Sequence, residues 1–416
     1  MAIIKPTLNL VASEYTPEII NTTRASGATR VNAAGLVKRV SDGTLRYDYD
    51  PTTLAGKGWL IEESRSNTCL QSEDFNTTWT KSTAAVDTNQ TTAPDGNSTA
   101  DYLKSASASA VTQLVLQTIT VTGSQTHSFG VFAKADTVTY LALYFDTGST
   151  NKAYVNVNLS DGTVEASGVA GSGFTLVSTA ITPYPNGWYH INMVATGDSG
   201  TSARMLIVLL DAASKASAPT PTPTITIGEG CYIWGAQCEE NASFGTSYIP
   251  TTTAAVTRAQ DTPIVNTADI PDFNDGGEGS LYFHGSCPDV SVIGNATFAQ
   301  LDNGPASATY RIGFYGSSLT TQILVNSAAQ VTLTGGSISD NTEFRFAVAF
   351  KTDSINDALN GTAGTEDTTG NVPDNLSDIQ FGNTYGHSDM FAMHIKHFAL
   401  FPVRLIDADL ETITTG

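Results

Sequence analysis

Acidic residues that lie close together in the chain are candidates for glycoside hydrolysis, which uses two carboxyl groups flanking the scissile bond. Asp407, Asp409 and Glu411 come nearest to such a set. They fall on a predicted C-terminal helix, where acidic side chains near the N-terminal end favour the helix dipole and face solvent. The adjacent pairs Glu62-Glu63 and Glu239-Glu240 diverge on an extended backbone. The sequence therefore predicts no catalytic residue and a protein that is not an enzyme.

Three histidines near the C-terminus, His387, His394 and His397, are possible ligands for zinc or nickel. On a regular β-strand, however, His394 and His397 point to opposite faces, because they are three positions apart. The sequence also lacks the loop of an EF-hand. It therefore assigns no metal ligand.

Aromatic side chains offer flat apolar faces on which sugar rings can stack. Tyrosines next to Gly or Pro turns are predicted to be exposed, whereas Trp188 and Trp234 lie in alternating strands and are predicted to be core residues. The candidate carbohydrate-binding residues are Tyr184, Tyr310, Tyr315 and Tyr385.

The elements that must position these residues are short strands. Between residues 68 and 256, apolar and polar residues alternate in segments such as 154–159 and 188–194, and turn sequences separate the segments. This spacing predicts a two-sheet sandwich of the jelly-roll type. Residues 257–278 have the composition of a linker, and residues 279–416 predict a second sandwich that ends in a short helix.

Residues 1–67 show neither helical nor strand periodicity over much of their length, and are predicted to form an extended leader. Such a segment must lie against another surface to become ordered. Its apolar residues Trp59, Leu60 and Ile61 are therefore the predicted anchoring or oligomer contact.

The composition of the chain argues against two classes of function, nucleic-acid binding and membrane spanning. The net charge is -20, and the 20 Lys and Arg residues are scattered, which disfavours binding to nucleic acid. No apolar stretch approaches the length of a membrane span. The four cysteines, Cys69, Cys231, Cys238 and Cys287, are predicted to be buried free thiols. The odd spacing of Cys231 and Cys238 would place them on opposite faces of a straight strand.

Three groups of motifs resemble known families. The first resembles a module found in virion proteins of tailed bacteriophages, the second the jelly-roll domains related to carbohydrate-binding modules, and the third the first and last strands of concanavalin A-like (laminin G-like) domains. The first group is 23–32 (TRASGATRVN), 46–51 (RYDYDP) and 58–67 (GWLIEESRSN); the second is 186–189 (NGWY), 232–237 (YIWGAQ) and 247–251 (SYIPT); the third is 279–283 (GSLYF) and 394–402 (HIKHFALFP).

The resemblance implies an all-β protein of two sandwiches after an N-terminal leader, and a structural role in a phage virion as a head fibre, decoration or tail fibre. It implies that the chain forms a homotrimer and contacts other virion proteins. It also implies host-surface glycans as candidate ligands and a structural calcium ion as a candidate cofactor. Because the leader would attach to the particle, host contact is expected in residues 279–416.

A glycan-processing enzyme or tailspike depolymerase on the same folds is the alternative. It would need the Glu-x-Asp-x-x-Glu pattern of concanavalin-like glycanases or a long repetitive β-helix, and the sequence has neither. A bacterial surface adhesin is a weaker alternative.

Overall fold

The computed structural model describes residues 4–148, 150–197, 199–216, 221–271, 273, 277–294, 296–303, 310–382 and 391–416. Within these residues every strand pairing is antiparallel, and the single α-helix is at the C-terminus. The predicted all-β fold class is confirmed. Tyr385 and His387 lie outside the described residues. No helix in the described ranges is long and apolar enough to cross a membrane.

The N-terminal segment contributes strands to several sheets. Its strands are β1 (Leu8–Val11), β2 (Asn21–Thr23), β3 (Ala28–Val31), β4 (Val37–Val40), β5 (Arg46–Tyr49), β6 (Gly56–Ile61) and β7 (Arg65–Asn67). β3 and β4 pair only with each other in the described part of the chain, and β7 pairs with a strand that follows the middle sandwich.

The middle sandwich consists of two six-stranded sheets. Its strands are β8 (Thr80–Ser82), β9 (Ala84–Thr91), β10 (Ala100–Ser105), β11 (Gln113–Thr120), β12 (Thr126–Lys134), β13 (Tyr140–Asp146), β14 (Lys152–Asn158), β15 (Thr163–Ala170), β16 (Thr175–Tyr184), β17 (Trp188–Thr196), β18 (Ser202–Leu210) and β19 (Gly230–Glu240). One sheet has the order β16-β17-β12-β19-β10-β9 and the other β15-β14-β13-β18-β11-β8. Alternating residues such as Val155 and Val157 fill the core between them.

The C-terminal sandwich packs an eight-stranded sheet against a seven-stranded one. Its elements are β20 (Val256–Arg258), β21 (Thr262–Asn266), β22 (Glu278–Ser286), β23 (Thr297–Asp302), β24 (Arg311–Tyr315), β25 (Thr320–Val325), β26 (Ala328–Thr334), β27 (Phe344–Lys351), β28 (Ser354–Leu359), β29 (Thr362–Ala363), β30 (Asp378–Phe381), β31 (Met393–Phe401) and α1 (Asp407–Thr415). β20 pairs with β7 outside both large sheets. Short 3-10 turns are Pro185–Gly187, Thr267–Asp269 and Val290–Val292.

The N-terminal segment is not a separate extended leader, which corrects the sequence-based expectation. The eight-stranded sheet has the order β29-β28-β27-β22-β31-β6-β5, and β1 also pairs with β31. Trp59 and Ile61 of β6 are buried in the core of the C-terminal sandwich. The apolar residues of this segment are thus buried within the same chain, because β6 pairs with β31.

Residues 257–278 also differ from the predicted linker. β20 and β21 both pair with strands of the N-terminal segment, and β21 pairs with β30 as well. Linker composition did not reveal this because the pairing partners lie far away in the sequence.

Two β-bulges correct predictions made from strand periodicity. β19 carries an extra residue opposite Gly130 and Phe132, so both Cys231 and Cys238 point into the same core. β31 likewise carries an extra residue, opposite His284 and Gly285, so His394 and His397 lie on the same face of the sheet. All four cysteines are buried and free, as predicted.

Candidate functional site

A cavity of about 850 Å³ lies where the N-terminal segment, the middle sandwich and the C-terminal sandwich meet. We call it the central cleft. Its lining includes Asp48, Tyr49 and Lys57 from the N-terminal segment, Thr182, Tyr184, His190 and Asn192 from the middle sandwich, and Asp340, Asn341 and His394 from the C-terminal sandwich. A ligand in this cleft would contact all three regions.

The floor of the cleft is the face of the β16-β17-β12-β19 sheet that points away from the core. The ladder places Ala180 opposite Asn192, Asn192 opposite Gly130, and Gly130 opposite Gln237. Since residues opposite each other share a face, small Ala180 and Gly130 form a trough between larger neighbours.

His190 stands in this floor as a neutral hydrogen-bonding group. Its ring packs against Phe132 with centroids 4.5 Å apart, and a Cβ on Gly130 would come within 2.8 Å of its Nε2. Burial lowers the pKa of His190 to about 4. At neutral pH the ring therefore offers one donor and one acceptor. Neither ring nitrogen has a hydrogen-bond partner among the described residues.

Asn192 presents an amide beside His190. The Ser128 hydroxyl donates to Asn192 Oδ1 at 2.8 Å, which directs the amide's two N–H donors away from Ser128. No hydrogen bond from Nδ2 occurs in the part of the chain that the structure describes. The Asn192 amide, a neutral donor, thus lies next to the neutral His190 ring, which can both donate and accept, on one face of the sheet.

Tyr184 adds an aromatic surface at the same end of the sheet. Its ring packs edge-on against Phe132 at 5.0 Å, and burial raises the pKa of its hydroxyl above the ordinary value. Beyond it, Trp188 and Trp234 are buried as predicted, although in a cluster on the cleft side of the sheet and not between the two sheets.

His394 in the opposite wall is held by a carboxylate. Its Nε2 lies 3.0 Å from Asp48 Oδ2, and the Val31 N–H donates to the other carboxylate oxygen at 2.8 Å. Burial, together with the charge of Lys57, lowers the pKa of His394. Asp48 is its only hydrogen-bond partner in the described ranges, so no hydroxyl or thiol stands ready there as a nucleophile.

Beside the cleft floor lies a buried ion-pair network, which we call the junction network. It consists of Arg24, Arg46, Glu62, Arg258 and Asp261. Arg46 Nη1 and Arg258 Nη1 each lie 2.7 Å from Glu62 Oε2. Arg24 Nη1 lies 2.6 Å from Asp261 Oδ1, and Arg46 Nη2 contacts Asp261 Oδ2. The network ties the N-terminal segment to residues 258–261.

The junction network also reaches the middle sandwich. The backbone N–H of Ser247 donates to Glu62 Oε1 at 2.7 Å, and its hydroxyl donates to Oε2 at 2.6 Å. The arginines and Ser247 lower the pKa of Glu62 to about 2 against the cost of burial. Arg24, Arg46 and Glu62 belong to the sequence blocks that resemble phage proteins, so these blocks encode a structural joint.

The candidate residues named from the sequence are brought together only in part. Tyr184 lines the central cleft, whereas Tyr310 hydrogen-bonds Asn326 at 2.5 Å and Tyr315 ends β24, both away from it. Tyr385 lies outside the described residues, so its role stays a prediction.

The predicted contact residues Trp59, Leu60 and Ile61 are buried within the chain, at 3%, 7% and 0% exposure. Leu60 also lines the central cleft. In this structure they are thus unavailable as an anchoring or oligomer surface, because β6 is paired with β31 and β5.

Sequence reasoning did not single out His190 and Asn192, which line the central cleft. The signal was the alternation of residues 188–194, which placed both on one polar face of a strand. What the sequence does not show is that the N-terminal segment and the C-terminal sandwich enclose this face.

In the described ranges, no three His, Cys, Asp or Glu side chains are grouped so that they could hold a metal ion. The structure therefore identifies no ligand set there for the calcium ion that the resemblance implies.

Neither a family model nor a curated protein matches the chain. Similar solved structures include the CBM40 of a Ruminococcus gnavus sialidase bound to sialyllactose, with 11% identity, 33% of this chain and 83% of that chain covered, and a TM-score of 0.29. Domain 4 of the Geobacillus stearothermophilus arabinanase AbnA with arabinotriose has 11% identity, 41% and 82% coverage, and a TM-score of 0.31. Domains LG4-5 of the mouse laminin alpha1 chain have 10% identity, 70% and 86% coverage, and a TM-score of 0.23. At these TM-scores the similarities carry no conclusion about function.

Proposed function

We propose that the chain is a non-enzymatic protein of a tailed bacteriophage particle that binds host-surface glycans in its central cleft. The observation that carries the glycan site is the pair His190 and Asn192. Both expose neutral hydrogen-bonding atoms without described partners to a cavity large enough for a small oligosaccharide.

Neutral donors and acceptors beside aromatic rings suit uncharged sugars, whose hydroxyls both donate and accept. The net charge of -20 also disfavours anionic polymers at long range. Affinity per site is expected to be weak, with a Kd on the order of 1 mM, and to become useful through many copies on one particle.

The test is a glycan array probed with the purified full chain, followed by titration of the best ligand. His190→Ala should weaken binding by about tenfold, which corresponds to the loss of one or two hydrogen bonds. His397→Ala is the matched control, because its ring is hydrogen-bonded to Asn9 and His397 is not among the residues that line the cleft. Equal binding by both variants and the unaltered chain would place the site elsewhere.

The particle assignment rests on the resemblance of residues 23–32, 46–51 and 58–67 to phage virion modules. Antibodies raised against the purified chain should label intact particles in immunogold electron microscopy, at the head or at the tail. Absence of the chain from purified particles would contradict the assignment without affecting the glycan site. Contacts with other virion proteins stay a prediction, and the homotrimer that the resemblance implies is not part of this proposal.

The absence of enzymatic activity is also part of the proposal. It is supported by the fact that no hydroxyl or thiol among the described residues is hydrogen-bonded to His394, and by the engagement of both Asp48 and Glu62 in ion pairs or hydrogen bonds. Purified chain should release no reducing ends from host polysaccharide. Release that His394→Ala abolishes would favour the alternative of a glycan-processing enzyme.

A further inference from the structure

β16 is an edge strand of ten residues at the rim of the central cleft. Its only ladder partner in the described chain is β17. Along its other side, the backbone N–H and C=O groups have no strand to pair with among the described residues. Near its end the Thr52 hydroxyl donates to the carbonyl of Pro183, so the free stretch is residues 175–182.

This edge is poorly protected against pairing. Natural edge strands are blunted by lysines, prolines or bulges. β16 has a bulge between Leu176 and Ser178 and a proline at position 183, but residues 178–182 contain neither a charge nor a proline. In a chain with a net charge of -20, an uncharged edge is a place where two copies can approach with little repulsion.

Exposed apolar side chains accompany the edge. Val177 of β16 is 52% exposed, and Val164 and Val169 of the adjacent strand β15 are 43% and 45% exposed. β15 is itself the edge of the other sheet, and its only charged residue, Glu165, is paired with Lys215 at 3.1 Å. Apart from this ion pair, neither edge strand carries a charged side chain, and the three exposed valines lie along them.

We propose that β16 pairs antiparallel with β16 of a second copy of this chain about a twofold axis. An antiparallel pairing of a strand with its own copy is self-complementary, so one surface serves both partners. The sheet that floors the cleft would then continue from one copy into the next, and the partner's β16 would extend the rim of each binding site.

This pairing has a consequence for binding. The twofold axis of an antiparallel strand pair is perpendicular to the sheet, so both central clefts open to the same side. Ser178, Ala180 and Thr182 line the cleft and lie next to the shared edge. Two sites that face one way can engage one surface together, which raises the apparent affinity for a glycan-covered cell. This consequence rests on the proposed glycan site, whereas the pairing itself does not.

The experiment measures the mass of the full chain by analytical ultracentrifugation from about 1 µM to about 200 µM, a range that brackets weak strand-edge association. A monomer–dimer equilibrium is expected. Val177→Lys with Thr179→Lys should shift it to monomer, with at least a tenfold higher dissociation constant, because edge lysines oppose pairing. Ile227→Lys, an exposed apolar residue in a loop, is the matched control and should dimerise like the unaltered chain.

Hydrogen exchange provides the second measurement. Amides of residues 176–182 should exchange more slowly at high than at low protein concentration, and those of the lysine variant should not change. A chain that stays monomeric throughout, a trimer, or a dimer that survives the lysine substitutions would overturn the proposal. Because Val177 and Thr179 also line the cleft, glycan affinity per site is measured on the unaltered chain, at protein concentrations below and above the dissociation constant of the dimer. An affinity that is the same at both concentrations leaves the glycan site independent of the pairing, so the two proposals can fail separately.

Discussion

The junction network and the floor of the central cleft lie side by side, and both place polar side chains beside apolar surroundings. In the network, each charged group has an oppositely charged partner, as Arg46 has in Glu62 and Asp261. In the floor, His190 and the Nδ2 group of Asn192 have no partner among the described residues. In the network the opposite charges balance one another within the chain, whereas in the cleft floor neutral hydrogen-bonding groups are open to a ligand.

This difference separates the residues of the junction network from the residues proposed to bind a ligand. A buried charge without its partner is costly, so the junction network must be complete in the folded chain. A neutral amide or imidazole at the surface of a cavity of about 850 Å³ can exchange water for a ligand at small cost. Stability and binding should therefore respond to different substitutions.

The largest effect is expected from breaking the network. Glu62→Gln removes the charge that balances Arg46 and Arg258, and should lower the free energy of unfolding by about 3 to 5 kcal/mol. Chemical denaturation measures this loss. Glu343→Gln is the control: this half-exposed carboxylate pairs with Lys396 and His284, and its loss should cost less than about 1 kcal/mol. Similar losses in both variants would show that the network is not a joint.

A second, smaller effect concerns Glu239, which borders the network. Its carboxylate accepts the Thr246 N–H at 2.9 Å, yet burial raises its pKa to about 7 from an ordinary value near 4.5. The folded state therefore holds a proton that the unfolded state has released between these two pH values. Stability from this group is present below about pH 4.5 and is lost as pH rises through 7, by up to about 3 kcal/mol.

Comparing the unaltered chain with Glu239→Gln isolates this contribution. The variant is neutral at every pH, so the difference in unfolding free energy between the two proteins should change in its favour from pH 4.5 to pH 8. A difference that does not vary with pH would mean that Glu239 is ionised throughout.

For residues of the cleft floor, we expect substitutions to change binding more than stability. Asn192→Ala should weaken binding of the array-identified glycan about fivefold to tenfold, because the free amide donor is lost. The cost in stability should be about 1 kcal/mol, because the buried Ser128 hydroxyl loses its acceptor until water enters the space that the amide vacates. Isothermal titration and denaturation of the same preparation give both values. A large loss of stability with unchanged affinity would show that Asn192 supports the fold and does not bind the glycan.

The sequence predicted the all-β class, the buried cysteines and the terminal helix, because each depends on local alternation or composition. It did not predict that β5 and β6 join β31, since that pairing connects residues more than 300 positions apart. The same limit applies to the site. Residues 188–194 showed a polar strand face, but only long-range pairing encloses it. The two bulges in β19 and β31 were likewise invisible, because one extra residue resets the face of every position after it.

The smallest effects should come from the tyrosines chosen on sequence grounds, and they test whether binding belongs to the cleft or to the C-terminal sandwich. Tyr184→Phe removes a hydroxyl at the cleft and should weaken binding by about twofold, because the ring and its packing against Phe132 remain. Tyr310→Phe and Tyr315→Phe lie outside the cleft and should leave the affinity unchanged within error. Phenylalanine keeps the part of Tyr310 that packs on the core of the C-terminal sandwich, so any change reports on the hydroxyl and not on folding. If either C-terminal variant weakens binding more than Tyr184→Phe does, the glycan contact lies in residues 279–416, as the sequence first indicated, and the open hydrogen bonds of His190 and Asn192 serve another ligand.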